Sequence, residues 1–199
     1  MKSKRIGLYF GTFNPIHVGH LIIADYMAQN ESLDEVWLVI TPQNPLKQKS
    51  GMLSDTHRLY LVRLAIEGNP RLKASNIEFG LPKPSFTVHT LAVLGEKYPQ
   101  HSFVLIMGQD NLRTIHKWKN FETILQNHDL LVYPRSLTVD REDDDPVHVD
   151  MTRVKLCPAP VMAISSTEIR KAIEENKEVK YLLTPAVEQY VSEMNFYRK

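Results

Sequence analysis

The sequence has 199 residues, of which 43% are hydrophobic and 24% charged, and its formal net charge is +1. This balance is typical of a globular protein with one core, and it does not favour nucleic-acid binding, which usually goes with a basic excess. The single cysteine, Cys157, excludes an intramolecular disulfide, and no apolar stretch approaches the roughly 18 residues of a membrane span. We therefore expect a single cytoplasmic domain over residues 1–199, with neither membrane nor nucleic acid as a partner.

Short β-branched runs alternate along the chain with longer segments of helical period. The predicted strands are 5–10, 34–41, 72–79, 101–107, 129–134 and 153–157. The predicted helices are 20–29, 55–68, 88–98, 164–175 and 184–194, with another in "FETILQ" (121–126). Ser54 and Asn120 are predicted N-caps for the helices that follow them.

Strands separated by helices of this length require crossover connections. The pattern predicts an α/β protein with a doubly wound, mostly parallel sheet and a C-terminal helical part over 164–199. Ligands of such sheets bind beyond the carboxyl ends of the strands. The loop that begins at Gly11, directly after the first predicted strand, is therefore the first place to look for a site.

The segment 136–150, "SLTVDREDDDPVHVD", interrupts the alternation. It has three consecutive aspartates and little apolar content. We interpret it as an exposed loop or insertion, with a cation site as the alternative.

The stretch after the first strand reads "GTFNPIHVGH" (11–20). Gly11 permits a sharp turn and the close approach of a ligand, and Pro15 delays the start of the helix. His17 and His20 are then expected in the first helical turn, with both rings on one face. Unpaired N–H groups and the helix dipole attract anions there, so two imidazoles are suited to a phosphate chain. The alternatives are incidental polar residues and a zinc site, for which no nearby side chain completes a ligand set.

A second stretch, "ISSTEIR" (164–170), lies near the end of the chain. Ser165 and Glu168 have the spacing of a capping box, which would account for the pattern without any function. The same stretch also brings hydroxyl groups, free backbone N–H groups and the guanidinium of Arg170 to one helix start. That set suits the terminal phosphates of a nucleotide.

Together the two stretches resemble the nucleotidyltransferases with the [TH]-x-G-H signature. The first fits their pattern "G-[ST]-F-[DN]-P-[IV]-H-x-G-H", and the family carries "I-S-S-T-x-I-R" near its C-terminus. Phosphopantetheine adenylyltransferases usually have Thr at the position of His17, so this histidine indicates nicotinate or nicotinamide mononucleotide adenylyltransferases. The resemblance runs over nearly the whole chain, is closest to the bacterial nicotinate mononucleotide adenylyltransferases, and implies a Rossmann-like fold.

Three shorter matches support the resemblance. "GQD" (108–110) resembles the family's G-x-D, whose aspartate holds sugar hydroxyls, although Asp110 would also serve as a helix cap. Trp118 resembles the tryptophan that stacks on the pyridine ring, with a place in the core as the alternative. "PSFTVHT" (84–90) resembles the segment whose backbone N–H groups, near Thr87, receive the carboxylate of nicotinate. Such donors favour the acid over the amide.

The resemblance implies three sets of site residues. His17, His20 and Arg170 stabilise charge during the reaction. The residues implied in ATP binding are Gly11, Thr12, Phe13, Gly19, Gly108, Asp110, Arg135, Ile164, Ser165, Ser166 and Thr167. The residues implied in mononucleotide binding are Asn14, Asn44, Lys47, Thr87 and Trp118, with Lys49 as an alternative to Lys47 and a surface charge as the alternative for Arg135.

The implied reaction transfers AMP from ATP to nicotinate mononucleotide, giving nicotinate adenine dinucleotide and pyrophosphate for NAD biosynthesis. The resemblance also implies in-line attack without a covalent intermediate, and Mg²⁺ bound mainly by the ATP phosphates, with no dedicated protein metal site. Lys119 stands where the family often has Tyr, and the loop 41–51 departs from the family pattern. The alternatives are another mononucleotide or phosphopantetheine acceptor and a non-catalytic nucleotide sensor. A homo-oligomer is left open.

Overall fold

The structure is a computed structural model, and it describes residues 2–42, 51–135 and 151–198. The 136–150 segment and the predicted ligands Asn44, Lys47 and Lys49 lie outside these residues. Six strands form one parallel sheet in the order β3-β2-β1-β4-β5-β6. The strands are β1 (Arg5–Gly11), β2 (Glu35–Ile40), β3 (Leu72–Ser75), β4 (Ser102–Gly108), β5 (Leu130–Tyr133) and β6 (Val154–Leu156).

Seven α-helices connect and follow the strands. They are α1 (Val18–Asn30), α2 (Asp55–Ala65), α3 (Thr87–Lys97), α4 (Gln109–Arg113), α5 (Phe121–Asn127), α6 (Ser166–Glu174) and α7 (Pro185–Glu193). Short 3-10 helices occupy Ile77–Gly80, Ile115–Lys117 and Met151–Arg153. The α/β class and the parallel sheet predicted from the sequence are confirmed. Among the described residues, no helix is long and apolar enough to cross a bilayer.

The sheet is covered on both faces, because successive side chains of a strand point to opposite sides. In β1, Leu8 packs into one core cluster and Tyr9 into the other. Helices α1, α2, α6 and α7 bury their apolar residues in the cluster that contains Tyr9, and α3 and α5 pack in the other. Strand order reverses at β1, whose neighbours are β2 and β4. The carboxyl end of β1 is therefore at the crevice where such sheets bind ligands.

One prediction about local structure is wrong, and another is confirmed only in part. The predicted strand 72–79 ends at Ser75, because the chain turns into a 3-10 helix in which the Glu78 side chain is buried and bound by Ser85 and Thr90. Asn120 precedes α5 as predicted, but its backbone is left-handed (φ 50°) and its side chain makes no capping hydrogen bond. The predicted cap at Ser54 is confirmed, since its hydroxyl accepts from the His57 N–H at 3.3 Å.

Candidate active site

A cavity of about 490 Å³ opens beyond the carboxyl ends of β1, β2 and β5. Most of the predicted phosphate-binding residues line it, together with several that the sequence did not single out. The lining consists of Tyr9, Phe10, Gly11, Thr12, Asn14, His17, Gly19, His20, Ile23, Thr41, Pro42, Met52, Asn111, Tyr133, Pro134, Arg135, Met162, Ile164, Ser165, Ser166, Thr167 and Arg170. The structure thus brings together two motifs from opposite ends of the chain.

The two histidines lie at the start of α1. His17 is the N-cap, with extended backbone, and is one residue short of the helical turn in which the sequence placed it. The rings of His17 and His20 stack with centroids 3.7 Å apart, which confirms that they share one face. The Nδ1 atom of His20 accepts a hydrogen bond from the backbone N–H of His17 at 3.3 Å. A neutral His20 must therefore carry its proton on Nε2, so that Nε2–H is its donor.

Both imidazoles are neutral near pH 7. Burial lowers the pKa of His17 from 6.5 to about 4, and the positive charge of Arg135 acts in the same direction. Burial lowers the pKa of His20 well below its usual value, with contributions from His17 and Arg135. The buried Nδ1 of His17 has no hydrogen-bond partner in the part of the chain that the structure describes. The pair therefore offers neutral N–H donors rather than fixed positive charges.

Phe13 and Gly19 shape the loop between β1 and α1. The backbone of Phe13 is left-handed (φ 46°) and its ring is buried beneath the loop, 1% exposed, so that it does not line the cavity. A Cβ atom on Gly11 would lie 2.8 Å from the Phe13 ring, and one on Gly19 would lie 3.1 Å from His17 Nδ1. A side chain at Gly11 would thus clash with the Phe13 ring, and one at Gly19 would crowd the His17 ring.

The stretch 164–170 closes the cavity from the other side. Ser165 and Glu168 form the predicted capping box at the start of α6. The Ser166 hydroxyl donates to the Pro15 carbonyl at 2.9 Å, and Arg170 Nη1 donates to the Asn14 carbonyl at 2.8 Å. These bonds fix the N-terminus of α6 against the loop that precedes α1. The N-termini of α1 and α6, each a favourable place for anions, therefore both border the cavity.

Arg135 and Asp110 form an ion pair at the rim of the cavity. Arg135 Nη1 lies 2.6 Å from Asp110 Oδ2, and both side chains are about half exposed. Arg135 lines the cavity, whereas Asp110 and Gly108 do not. Gly108 ends β4 and is the residue before α4, which places Asp110 in the first turn of that short helix.

The predicted mononucleotide ligands divide into two groups. Asn14 lines the cavity, but Thr87 and Trp118 do not. Those two lie in adjoining segments, since Lys119 Nζ is 4.7 Å from the centre of the Phe86 ring. Thr87 is the first residue of α3, and the residue before it makes no side-chain cap. Its backbone N–H is one of the groups that a helix start leaves without an intrahelical partner.

The sequence did not single out several residues around the cavity. The hydroxyls of Tyr9 and Tyr133, near the ends of β1 and β5, lie 3.2 Å apart, and burial raises the pKa of both. Their positions near the carboxyl ends of predicted strands are the sequence feature that could have identified these two tyrosines. Beneath the cavity, Arg58 and Tyr197 contact the β1–α1 loop from distant parts of the chain. No local sequence pattern marks either one.

The described residues contain no group of three or more histidines, cysteines or acidic residues able to hold a metal ion. Asp110, the acid at the rim, is paired with Arg135. The cavity wall offers mainly N–H, hydroxyl and guanidinium donors, which suit phosphate oxygens rather than a bare cation.

The parallel sheet with a cavity at its switch point is an α/β, Rossmann-like fold, and the comparisons with known proteins identify the chain as a nucleotidyltransferase. The family model described as cytidylyltransferase-like matches residues 8–172. A chain from Flavobacterium psychrophilum named "Probable nicotinate-nucleotide adenylyltransferase" is 54% identical over 98% of this chain and 100% of its own length. A chain of the same name from Bacteroides fragilis is 44% identical over 94% and 90%.

The chain belongs to the nicotinate-nucleotide adenylyltransferase family, within the cytidylyltransferase-like nucleotidyltransferases. A solved structure agrees on the fold. Plasmodium falciparum nicotinic acid mononucleotide adenylyltransferase complexed with nicotinate adenine dinucleotide (NaAD) superposes with a TM-score of 0.76 at 21% identity, over 98% of this chain and 97% of that one. Nucleotidyltransferases of this family typically use a divalent metal.

Proposed function

We propose that this protein transfers AMP from ATP to nicotinate mononucleotide and releases pyrophosphate, which makes nicotinate adenine dinucleotide for NAD biosynthesis. The observation that carries the proposal is the joining of the two motifs around one cavity, through the bonds from Ser166 to Pro15 and from Arg170 to Asn14. Family membership at high identity over the whole chain supports the same reaction.

The attacking group needs no general base. A phosphate monoester has a second pKa of about 6, so its oxygen is already anionic near neutral pH. The enzyme's work is to place two nucleotides in line and to stabilise the charge that develops on the α-phosphate and the departing pyrophosphate. In-line attack then forms one P–O bond as the bond to pyrophosphate breaks, without a covalent intermediate on the protein.

We assign the stabilisation of charge to His17, His20 and Arg170. Neutral imidazoles donate through N–H groups that are already oriented, because the stacked rings and the His20 Nδ1 bond fix them before substrate arrives. Arg170 donates through Nη1 to the Asn14 carbonyl at 2.8 Å and through Nη2 to the Thr167 hydroxyl at 3.4 Å, and it lines the cavity beside Ser165 and Ser166. This side is suited to the β- and γ-phosphates.

The rest of the ATP site follows from the cavity wall. Gly11, Thr12, Gly19 and Ile164 are proposed to contact the nucleotide directly, while Phe13 supports their loop from below. Arg135 is proposed to reach the phosphates, with Gly108 and Asp110 beside the ribose. The Arg135–Asp110 ion pair would then reorganise when ATP binds.

The mononucleotide is proposed to lie between the cavity and the N-terminus of α3. There the Thr87 N–H is proposed to receive the carboxylate, and Trp118 is proposed to stack on the pyridine ring. Asn14, Asn44 and Lys47 are proposed to contact the rest of the mononucleotide. A carboxylate suits a helix N-terminus better than a neutral amide, which is why the acid is the proposed acceptor.

We further propose that the divalent metal is Mg²⁺ and that it arrives as the MgATP complex, held by phosphate oxygens and water. The N–H, hydroxyl and guanidinium groups of the cavity wall suit phosphate oxygens, which supports a metal carried by the substrate. The protein is proposed to act as one domain over residues 1–199 in the cytoplasm.

The test is an acceptor panel. Purified protein is mixed with ATP and Mg²⁺, then with nicotinate mononucleotide, nicotinamide mononucleotide or phosphopantetheine, and pyrophosphate release is followed. Release chiefly with the nicotinate compound is expected. If the protein binds ATP but releases no pyrophosphate with any acceptor, it is a nucleotide sensor and not an enzyme.

The role of the histidines is tested by His20→Ala. Loss of a donor to developing charge is expected to lower kcat by about 10²–10³-fold. The matched control is His116→Ala, since His116 is exposed and does not line the cavity. Unchanged kcat in His20→Ala would remove His20 from the mechanism.

A further inference from the structure

The C-terminal end of the chain contacts the first motif. The hydroxyl of Tyr197 donates to Asn14 Oδ1 at 2.7 Å, across 183 residues of sequence. The backbone of Tyr197 is left-handed (φ 64°), a conformation that bulky residues rarely adopt. Such a conformation persists only where the surrounding contacts hold it, and the Tyr197 ring packs against the core cluster beneath the β1–α1 loop.

The Asn14 side chain is held by three hydrogen bonds to the protein. Its Oδ1 accepts from both Tyr197 and the Leu53 N–H, the latter at 3.1 Å, and its Nδ2 donates to the Gly51 carbonyl at 3.1 Å. Its own carbonyl accepts from Arg170. With 3% of its surface exposed, Asn14 joins the β1–α1 loop to residues 51–53, to α6 and to the C-terminal end.

Tyr197 adds to the hydrogen bonds that hold the Asn14 amide. An amide group can turn over and exchange its oxygen and nitrogen, and only the oxygen accepts hydrogen bonds. The Leu53 N–H and the Gly51 carbonyl set the orientation with Oδ1 toward Leu53, and the Tyr197 hydroxyl is a second donor to that oxygen. Burial raises the pKa of Tyr197 despite the nearby charges of Arg170 and Arg58, so its hydroxyl keeps the proton that it donates.

We propose that Tyr197 is a positioning residue for nucleotidyl transfer, whose hydroxyl acts through Asn14 to hold the β1–α1 loop in the conformation that orients His17 and His20. The proposal rests on the proposed function. Tyr197 does not line the cavity, so it acts on the reaction only through the loop. If the imidazole donors are oriented for the transition state, a change in their orientation lowers kcat and has a smaller effect on KM.

The experiment compares Tyr197→Phe with Tyr190→Phe. Tyr190 belongs to α7, is also partly buried, and its hydroxyl lies 3.0 Å from His57 Nδ1 rather than near the motif. Each variant therefore loses one hydroxyl that contacts one side chain, and the rings remain to pack. Similar losses of thermal stability are expected, which separates a general effect on folding from an effect on the loop.

With ATP and nicotinate mononucleotide, Tyr197→Phe is expected to lower kcat about five- to tenfold, the factor that one lost hydrogen bond represents, with both KM values within about twofold. Tyr190→Phe is expected to keep the wild-type kcat. In an Asn14→Ala background, Tyr197→Phe should have no further effect on kcat, because its route to the loop is gone. Equal kcat losses in Tyr197→Phe and Tyr190→Phe would overturn the proposal, as would no loss in Tyr197→Phe.

Histidine ring NMR signals give a readout independent of turnover. Tyr197→Phe should shift the signals of His17 and His20, and Tyr190→Phe should shift that of His57 instead. Signals of His17 and His20 that stay in place in Tyr197→Phe would contradict the proposal. A wild-type protein that releases no pyrophosphate would instead contradict the proposed function, and the NMR comparison would still decide whether Tyr197 orients the loop.

Discussion

The guanidinium of Arg58 donates a hydrogen bond to the backbone carbonyl of Thr12, directly beneath the wall of the cavity. The same group donates to the Thr41 carbonyl at 2.8 Å and pairs with Asp55 at 2.6 Å, and the side chain has no exposed surface. One buried cation from α2 thus ties the loop after β1 to the end of β2. The carbonyl groups of Thr12 and Thr41, which follow β1 and β2, thus receive hydrogen bonds from one side chain.

Replacement of Arg58 by Met is expected to destabilise the protein by about 2–5 kcal/mol, since it leaves the buried carbonyl groups of Thr12 and Thr41 without this donor. Urea unfolding measures the loss. The matched control is Arg63→Met on the same helix, where the side chain is exposed and the expected change is within about 0.5 kcal/mol. Equal stabilities of the two variants would show that Arg58 does not hold the loop.

The strand and helix pattern was predictable because its signal is local. Short β-branched runs identified all six strands, runs of period 3.6 identified the longer helices, and the two motifs identified the cavity wall. Arg58 was not predictable, because an arginine in an amphipathic helix looks the same whether its guanidinium reaches water or a remote carbonyl. Tyr197 was missed for the same reason, since its partner Asn14 is 183 residues away.

The stability of the protein is expected to fall as pH drops from about 6.5 towards 4. Burial lowers the pKa of His17 to about 4 in the folded protein, while in the unfolded chain it is near 6.5. The unfolded state therefore binds more protons between these values, so that acid favours unfolding. For His17 alone the full loss is about 3 kcal/mol at pH values below 4.

Urea unfolding of wild type and His17→Gln between pH 7.5 and 4 measures this effect. The difference between the two proteins reports His17 together with its effect on His20, whose pKa His17 helps to lower. It separates this pair from His128, whose pKa is also lowered, and from Glu78, whose pKa burial raises. The free energy of unfolding should fall more steeply with acid in the wild type than in His17→Gln. Parallel curves would mean that His17 titrates normally in the folded protein.

The proposed contact between Asp110 and the ribose of ATP can be tested with nucleotides that lack one ribose hydroxyl. If its carboxylate holds ribose hydroxyls, Asp110→Ala should raise the KM for ATP about tenfold, with a much smaller effect on the deoxy analogue that lacks the contacted hydroxyl. Assays with ATP, 2′-deoxyATP and 3′-deoxyATP measure this. Asp129→Ala is the control. Asp129 is also ion-paired, with Arg5 and Arg153, but it precedes β5 and therefore lies at the amino ends of the strands, away from the cavity.

An equal rise of KM for all three nucleotides in Asp110→Ala would point instead to the ion pair with Arg135. In that case Asp110 would act by holding Arg135 near the phosphates, and Arg135→Ala should reproduce the same uniform rise.

Glu78 is expected to influence the preference of the enzyme for nicotinate mononucleotide, the acid, over nicotinamide mononucleotide, the amide. Its buried carboxylate accepts from the Thr90 hydroxyl at 2.7 Å on one oxygen and from the Ser85 hydroxyl at 3.1 Å on the other. These bonds fix the start of α3, where Thr87 is proposed to receive the substrate carboxylate. In Glu78→Gln one oxygen becomes an NH₂ group, so one of the two hydroxyls loses its acceptor.

Glu78→Gln is therefore expected to reduce the preference for nicotinate over nicotinamide mononucleotide about tenfold, measured as the ratio of their kcat/KM values, with little change in KM for ATP. The matched control is Glu96→Gln, an exposed position on α3, which should leave the ratio unchanged. Should Glu78→Gln lower both kcat/KM values equally, the buried acid would support the fold of this region without setting specificity.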